Sequence, residues 1–187
     1  MDSWSLPTKL NINDSEWEIR TDYRAILDIL NAMADPDLEN DEKWLVCLNI
    51  LFVKFNEMPS EYYVEACKVA KEFIDMGTEE EDKKIRPRTM DWQQDAKLII
   101  PAVNKVIGKE VRAIEYMHWW TFLSAYLEIG ECTFSHIVNI RTKKAKGKKL
   151  EKWELEYIRD NSDLVNLKRR LSQEEIEEQK LVEELFG

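Results

Sequence analysis

Glu115 and His118 are the side chains of this sequence whose types and spacing come nearest to a catalytic pair. On an α-helix, residues three positions apart face the same side, so the carboxylate could orient the imidazole as a general base. The sequence offers such a base no serine or cysteine motif to activate, and its only other histidine is His136. A buried polar group needs a hydrogen-bond partner whatever its role. We therefore favour a structural role for the pair over a catalytic one.

Other patterns that would indicate chemistry are missing. The sequence contains no GxxxxGK(S/T), GxGxxG, HExxH or GxSxG motif, so nothing in it indicates a nucleotide-binding enzyme. The three cysteines, Cys47, Cys67 and Cys132, are far apart and form no CxxC pair. We expect free thiols in a reducing cytoplasm, and neither an enzyme nor a bound metal or cofactor.

Two further candidates concern binding. Trp119 and Trp120 could form an aromatic platform for a ligand, but adjacent residues of a helix point about 100° apart, which favours two separate packing contacts. The segment 20–24, with the sequence RTDYR, could bind a carboxylate of a partner. A helix start with Thr21 or Asp22 as its N-cap, together with local charge pairs, is the simpler interpretation.

Charge is distributed unevenly along the chain, whose net charge is −10. Acids dominate residues 1–90 (net −9), 91–140 (net −2) and 171–187 (net −5), whereas bases dominate residues 141–170 (net +6). An acidic body disfavours general binding to nucleic acid, because phosphate contacts need a net basic face. The lysine run 143–149 is the exception to test, although it lacks the interleaved aromatic residues that stack on single strands.

The segment 110–129 has apolar residues around most of a helical circumference. Successive residues of a helix are rotated by about 100°. One stripe along this helix would hold Val111, Ile114, His118, Phe122, Ala125 and Ile129. The opposite side would hold Tyr116, Trp120, Leu123 and Leu127. A helix that is apolar all round is packed by neighbours on several sides. The pattern predicts one central, tryptophan-rich helix over residues 110–129.

Periodicity and helix breakers indicate the elements that would surround this helix. A short β-hairpin is predicted at the N-terminus, with strands 9–12 and 17–19 around a turn at 13–16. The other predicted helices span 22–34, 39–54, 61–76, 91–107 (kinked or divided at Pro101), 133–141 and 150–171 (broken at 161–162). The predicted fold class is therefore mainly α, a multi-helix orthogonal bundle around the central helix with one short N-terminal hairpin.

We expect a single helical domain over residues 1–171, followed by an acidic C-terminal helix or tail over residues 172–187. Residues 78–89 form a charged linker inside this domain, because they have little apolar surface to bury. Ser172 and Glu175 match a capping box that would open the last helix. No apolar run is long enough to span a membrane and the N-terminus does not resemble a signal peptide, so we expect the protein to act where it is made.

The order of these features resembles the bacteriophage gene-product-fifteen family, found in phages and prophages of Gram-positive bacteria. The resemblance extends from about residue 6 to residue 171 and rests on segments 19–24, 42–44 and, above all, 114–122. The residues that match the family motifs are Thr21, Asp22, Tyr23, Arg24, Glu115, Tyr116, His118, Trp119, Trp120 and Phe122. The family has no catalytic residues to carry over to this chain.

The resemblance implies a tail assembly chaperone of a long-tailed siphophage. Such a protein would bind and solubilise the tape measure protein, a long helical chain with exposed apolar stripes, and would help recruit tail tube subunits. It would act in the cytoplasm of the bacterial host, alone or as a homo-oligomer, and would be absent from the mature virion. Two other classes stay open: a virion structural component, such as a head–tail connector or minor tail protein, and a nucleic-acid-binding regulator that uses residues 141–170.

Overall fold

A computed structural model describes residues 4–77 and 87–186, so most of the predicted linker 78–89 lies outside the described residues. The described chain is mainly α with one N-terminal hairpin, which confirms the predicted fold class at that level. The strands are β1 (Lys9–Ile12) and β2 (Ser15–Glu18). The helices are α1 (Tyr23–Met33), α2 (Asn40–Leu51), α3 (Tyr63–Ile74), α4 (Ala96–Ile107), α5 (Trp119–Leu127), α6 (Thr133–Ala145), α7 (Lys152–Asp160), α8 (Ser162–Val165) and α9 (Gln173–Phe186). Short 3-10 turns lie at Phe55–Glu57, Ser60–Tyr62 and Val111–Ala113.

The hairpin closes through a two-residue turn, which is shorter than the predicted one. Asn13 and Asp14 both have positive φ, 47° and 61°, a backbone conformation typical of tight turns whose twist matches that of the flanking strands. The second strand therefore begins nearer the turn than the predicted span 17–19. Ile19 leaves the hairpin and bridges to Phe52 at the end of α2.

The predicted central helix is wrong in its first half, residues 110–118. A 3-10 turn and an extended segment take its place, and only then does α5 begin. The extended segment pairs with the chain before α1: Tyr23 N–H donates to Met117 O (3.0 Å) and Trp119 N–H donates to Thr21 O (2.7 Å). These nonlocal hydrogen bonds satisfy backbone groups that a helix would otherwise satisfy locally.

The remaining helix, α5, is central in the way the apolar pattern predicts. Trp119, Trp120, Phe122 and Ala125 are buried on it. They belong to one hydrophobic cluster that also takes buried residues from β1, α1, α2, α3 and α4. A second, smaller cluster joins α6 to α8. The main core is thus built around the tryptophan motif.

The helix α4 begins at Ala96, later than predicted. The preceding residues form a turn in which the Asp91 carboxylate accepts hydrogen bonds from the backbone N–H groups of Gln93 (2.9 Å) and Gln94 (2.8 Å). This side chain competes with the helical hydrogen bonds and delays the helix start. Pro101 lies inside α4 but does not divide it.

The last part of the chain agrees with prediction in part, because the predicted helix 150–171 ends early, at Val165. The helix α6 runs to Ala145, beyond the predicted end at 141 and into the lysine run. The predicted break at 161–162 separates α7 from α8. The predicted capping box opens α9: Glu175 N–H donates to Ser172 Oγ (3.2 Å) and Ser172 N–H donates to Glu175 Oε2 (3.0 Å). Among the described residues, no helix has the length and apolar content needed to cross a membrane.

Candidate functional site

Segments 21–24 and 114–122, which are distant in sequence, lie side by side in the structure. Asp22 and His118 form an antiparallel β-bridge, flanked by the two backbone hydrogen bonds that connect residues 21–23 with residues 117–119. We name the two segments together the motif junction. It gathers the sequence-predicted site residues in one place.

Asp22, one of the two predicted cap residues, is the N-cap of α1. Its carboxylate accepts a hydrogen bond from Arg24 N–H (3.0 Å) and a longer one from Met117 N–H (3.3 Å). It also forms an ion pair with the Arg24 guanidinium (3.0 Å). One side chain therefore satisfies a helix end and a backbone donor of the opposite segment.

Arg24 directs its guanidinium to the backbone of the opposite segment. Nη2 donates to the carbonyl oxygen of Ile114 (2.5 Å), with longer contacts from the guanidinium to the carbonyls of Arg112 and Glu115 (3.4 Å each). The same group lies over the Tyr23 ring, 4.6 Å from its centroid. Because these donors bind the chain itself, the geometry supports the local interpretation of this arginine over a role in binding a partner carboxylate.

Hydroxyl and aromatic contacts close the junction. The hydroxyl oxygens of Thr21 and Tyr116 lie 2.7 Å apart. Tyr23 stacks on Phe122 with ring centroids 4.5 Å apart and an interplanar angle of 7°, and its hydroxyl donates to Val111 O (3.4 Å). Burial raises the pKa of the Tyr23 phenol, so the group stays protonated and remains a donor.

His118 is the N-cap of α5 and uses both ring nitrogens within the chain. Nδ1 accepts a hydrogen bond from Trp120 N–H (3.0 Å), and Nε2 lies 3.0 Å from Pro7 O. Since an accepting Nδ1 carries no hydrogen, we assign the neutral tautomer in which Nε2–H donates to the Pro7 carbonyl. The ring thereby joins the start of α5 to the chain before β1.

The predicted contact between Glu115 and His118 is wrong. Glu115 lies in the extended segment with an exposed side chain, whereas His118 is buried at a helix N-cap, so the two residues do not share a helix face. Within the described chain, no hydrogen bond or ion pair joins them. A general base oriented by this carboxylate is therefore not assembled at the motif junction.

The indole N–H groups of Trp119 and Trp120 both bind the C-terminal end of α3, which the sequence pattern did not predict. Trp119 Nε1 donates to Ile74 O and Trp120 Nε1 donates to Phe73 O, both at 2.8 Å. These carbonyls belong to the last turn of α3, where backbone acceptors have no helical partner. The rings themselves pack separately, Trp119 against Trp92 and Trp120 against Phe73, as predicted for adjacent helix positions.

A second polar cluster, which was not predicted, lies between α4, α6 and α8. Arg141 pairs with Asp95 through hydrogen bonds of 2.7 and 2.9 Å, and both side chains are buried. The same guanidinium donates to the carbonyl oxygens of Leu164 and Val165 at 2.7 Å each. A buried charge needs such compensation, and here the compensation fastens α8 to α4 and α6.

Asp91 is the other buried carboxylate of this cluster. It pairs with Arg170 (3.1 Å) and with Arg88, and Arg170 also donates to Asn31 Oδ1 of α1 (2.8 Å). Burial acts to raise the pKa of Asp91, but the Gln94 N–H and the two guanidiniums outweigh it and hold the pKa below its ordinary value. We call Asp91, Asp95, Arg141 and Arg170 the arginine network. Its sequence signal is the pair of aspartates four residues apart just before an apolar helix.

Several cations of the basic segment 141–170 are used inside the fold. Besides the two arginines of the network, Lys143 pairs with the buried carboxylate of Glu154 (2.7 Å). Lys144 donates to Asn166 Oδ1 (2.9 Å). The hydrogen bond from Lys143 holds the pKa of Glu154 below its ordinary value. The positive field offered to a nucleic acid is therefore weaker than the charge count of the segment indicates.

A small cleft with a volume of about 140 Å³ opens between α6 and α7. The residues that line it are Thr133, His136, Ile140, Trp153 and Tyr157. The His136 and Trp153 rings meet edge to face with centroids 6.4 Å apart, and Trp153 is half-exposed. Pockets that hold drug-sized ligands have volumes of roughly 300 Å³ or more, so this cleft suits an amino-acid side chain better than a cofactor.

The thiols and the potential metal ligands of the described residues do not form a reactive site. In residues 4–77 and 87–186, no group of three or more histidine, cysteine or carboxylate side chains is placed to hold a metal ion. The three cysteines are free thiols, as expected. Burial, together with the nearby Cys67, raises the pKa of Cys47 to about 12, so this thiol is not a ready nucleophile.

These features define a mainly α protein whose motif residues tie two distant segments of its own chain together. The family model described as Bacteriophage Gp15 protein matches residues 3–167, and the chain belongs to this family. The match confirms the resemblance inferred from segments 19–24, 42–44 and 114–122. No curated protein and no solved structure matches the chain.

Proposed function

We propose that this phage protein is a non-catalytic tail assembly chaperone, which binds and solubilises the tape measure protein and helps recruit tail tube subunits. It acts in the cytoplasm of the bacterial host and is left out of the mature virion. The observation that carries the proposal is membership of the bacteriophage Gp15 protein family over residues 3–167. The motif junction supports it, because the motif residues bind their own chain and leave recognition to the outer surface.

Recognition of an apolar helical stripe requires exposed apolar side chains on regular elements. The helices of the main domain offer Val64 on α3, 72% exposed, and Leu127 on α5, 64% exposed. A long tape measure chain presents anchors at helical spacing to many copies at once, so each contact can be weak. The net charge of −10 adds solubility to the coated complex.

The arginine network and the Lys143–Glu154 pair support this proposal over the nucleic-acid-binding regulator. They hold Arg141, Lys143 and Arg170 against carboxylates of the fold. Phosphate binding needs cations that can face the duplex. The remaining cations of the segment act against a surrounding chain that is strongly acidic.

Co-expression with the tape measure protein of the same phage tests the proposal. Expressed alone, the tape measure protein is expected in the pellet, because its apolar stripes associate with one another. Together with this chain, it is expected in the soluble fraction and should co-purify. Val64→Glu and Leu127→Glu test the two exposed apolar positions, and Thr121→Glu, at an exposed position of α5, is the matched control that adds the same charge without removing a large apolar side chain.

One outcome would replace the proposed function, and another would replace only the apolar contact within it. If the tape measure protein stayed in the pellet and this chain were present in stoichiometric amounts in purified particles, the chain would be a virion structural component. If both single variants and the control lost co-purification to the same extent, the effect would be one of charge and not of apolar contact. Circular dichroism of each variant shows whether the fold is retained.

A further inference from the structure

In the described part of the chain, α9 is fastened to the body through its first turn. Gln173 N–H donates to Asp37 Oδ1 (2.9 Å), and Ile176 is half-buried. From Glu177 onward, the described side chains of α9 are all exposed. The apolar ones share one face of the helix and are Leu181, Val182 and Leu185, each between 54 and 67% exposed. We call these three the α9 patch.

The α9 patch lies in a strongly acidic helix. Six glutamates and one lysine accompany it in Gln173–Phe186. Two identical acidic helices repel each other when their faces are brought together. The patch therefore does not suit a symmetric contact with the same patch of another copy.

The cleft between α6 and α7 has complementary properties. Its mouth is aromatic and half-exposed at Trp153. The connection 146–151 between the two helices carries Lys146, Lys148 and Lys149, all exposed. An apolar cleft beside a cationic loop fits an apolar anchor on an acidic helix.

We infer that the α9 patch of one copy docks into the α6–α7 cleft of a second copy. Within one chain both surfaces are exposed, so α9 does not cover the cleft of its own copy. One leucine of the patch enters beside Trp153, and the glutamates of α9 face the lysines of the connection 146–151. The interface joins two different surfaces, so the copy that contributes its patch keeps a free cleft and the other copy keeps a free patch, and the contact repeats from copy to copy.

Sedimentation velocity of the full chain at increasing concentration tests this inference. The weight-average mass of the wild-type protein should rise with concentration and fall with added salt, because exposed charge pairs are screened. Leu185→Glu should weaken self-association about tenfold or more, as expected for an anchor at the centre of an interface. Leu45→Glu on α2, which makes the same replacement at an exposed leucine, is the matched control and should leave self-association unchanged.

Mixing variants tests whether two different surfaces meet. Trp153→Ala disables the cleft and Leu185→Glu disables the patch, so each variant alone should stay monomeric. Mixed together, the intact patch of the first and the intact cleft of the second should give a one-to-one dimer that grows no further. Lys148→Glu combined with Lys149→Glu replaces Trp153→Ala if the latter does not fold.

Three outcomes would overturn the inference. The first is a wild-type protein that stays monomeric at all concentrations, which includes the case of α9 folding back on its own cleft. The second is an equal loss of self-association in Leu45→Glu, and the third is a mixture of the two variants that remains monomeric. The inference does not rest on the proposed function, because sedimentation uses this chain alone, without the tape measure protein.

Discussion

Replacing Asp95 by alanine tests how strongly the buried ion pair between Asp95 and Arg141 stabilises the fold. The Asp95 carboxylate is 2% exposed, receives two hydrogen bonds from Arg141 and accepts a third from Asp91 N–H (2.9 Å). Its removal leaves a buried guanidinium without a counter-ion, which typically costs about 3–5 kcal/mol. Arg141 keeps its bonds to carbonyl oxygens of α8 and to Thr89 O (3.2 Å), so we expect the lower half of that range. This is a large part of the roughly 5–15 kcal/mol by which domains are stable.

The assay is urea unfolding at neutral pH, with the midpoint and the slope determined separately. Arg141→Met should destabilise to a similar extent, because it leaves Asp95 charged and buried. The double variant Asp95→Ala with Arg141→Met should lose less than the sum of the two single losses, since neither charge is then left unpaired. Arg159→Met is the matched control: its ion pair with Asp160 is exposed, and its loss should cost no more than about 0.5 kcal/mol. Single variants that lose less than about 1 kcal/mol, or an additive double variant, would refute the reasoning.

Three further predictions concern the motif junction, acid stability and nucleic acid. His118→Ala should lower the free energy of unfolding by about 1–3 kcal/mol, and His118→Asn by less because asparagine keeps a cap acceptor; a stably folded variant that loses partner binding would contradict a structural role. The Asp91 pKa is lowered in the folded state, so its stabilising contribution is present above the ordinary aspartate pKa and is lost as pH falls through the folded value. Urea midpoints between neutral and acid pH should therefore fall less steeply for Asp91→Asn than for the wild type, and parallel curves would be inconsistent with this. Gel shifts at low salt should show no tight duplex binding, whereas micromolar binding that weakens steeply with added salt would favour the regulator.

Local signals predicted the parts of the fold that depend on neighbours in sequence. The Ser172–Glu175 capping box opens α9, and Asp22 caps α1, because both devices are completed within three residues. The break at 161–162 has the same local character. The apolar pattern of α5 also placed the tryptophan motif in the core correctly.

Nonlocal partners explain what the sequence could not reveal. Residues 114–118 carry a helical pattern but are extended, because segment 21–23 supplies hydrogen-bond partners for their backbone. A local sequence pattern contains no information about such distant partners. The Glu115–His118 contact followed from the assumed helix and failed with it. Arg141 and Arg170 looked like members of a solvated basic stretch, yet they are held against Asp95 and Asp91, which lie far away in sequence.

The motif junction explains why segments 21–24 and 114–122, which both contribute to the resemblance, occur in the same chain. Asp22 and Arg24 of the first segment bind backbone groups of the second, and Tyr23 stacks on Phe122. His118 in turn extends the second segment to the chain before β1. Each segment therefore needs the other to satisfy its polar groups, since an unpaired buried group is costly. A match to these motifs consequently reports how the chain folds. We therefore propose that partners bind at exposed apolar positions, which are Val64 on α3, Leu127 on α5 and the apolar residues of α9. The co-expression and sedimentation experiments address these two surfaces separately.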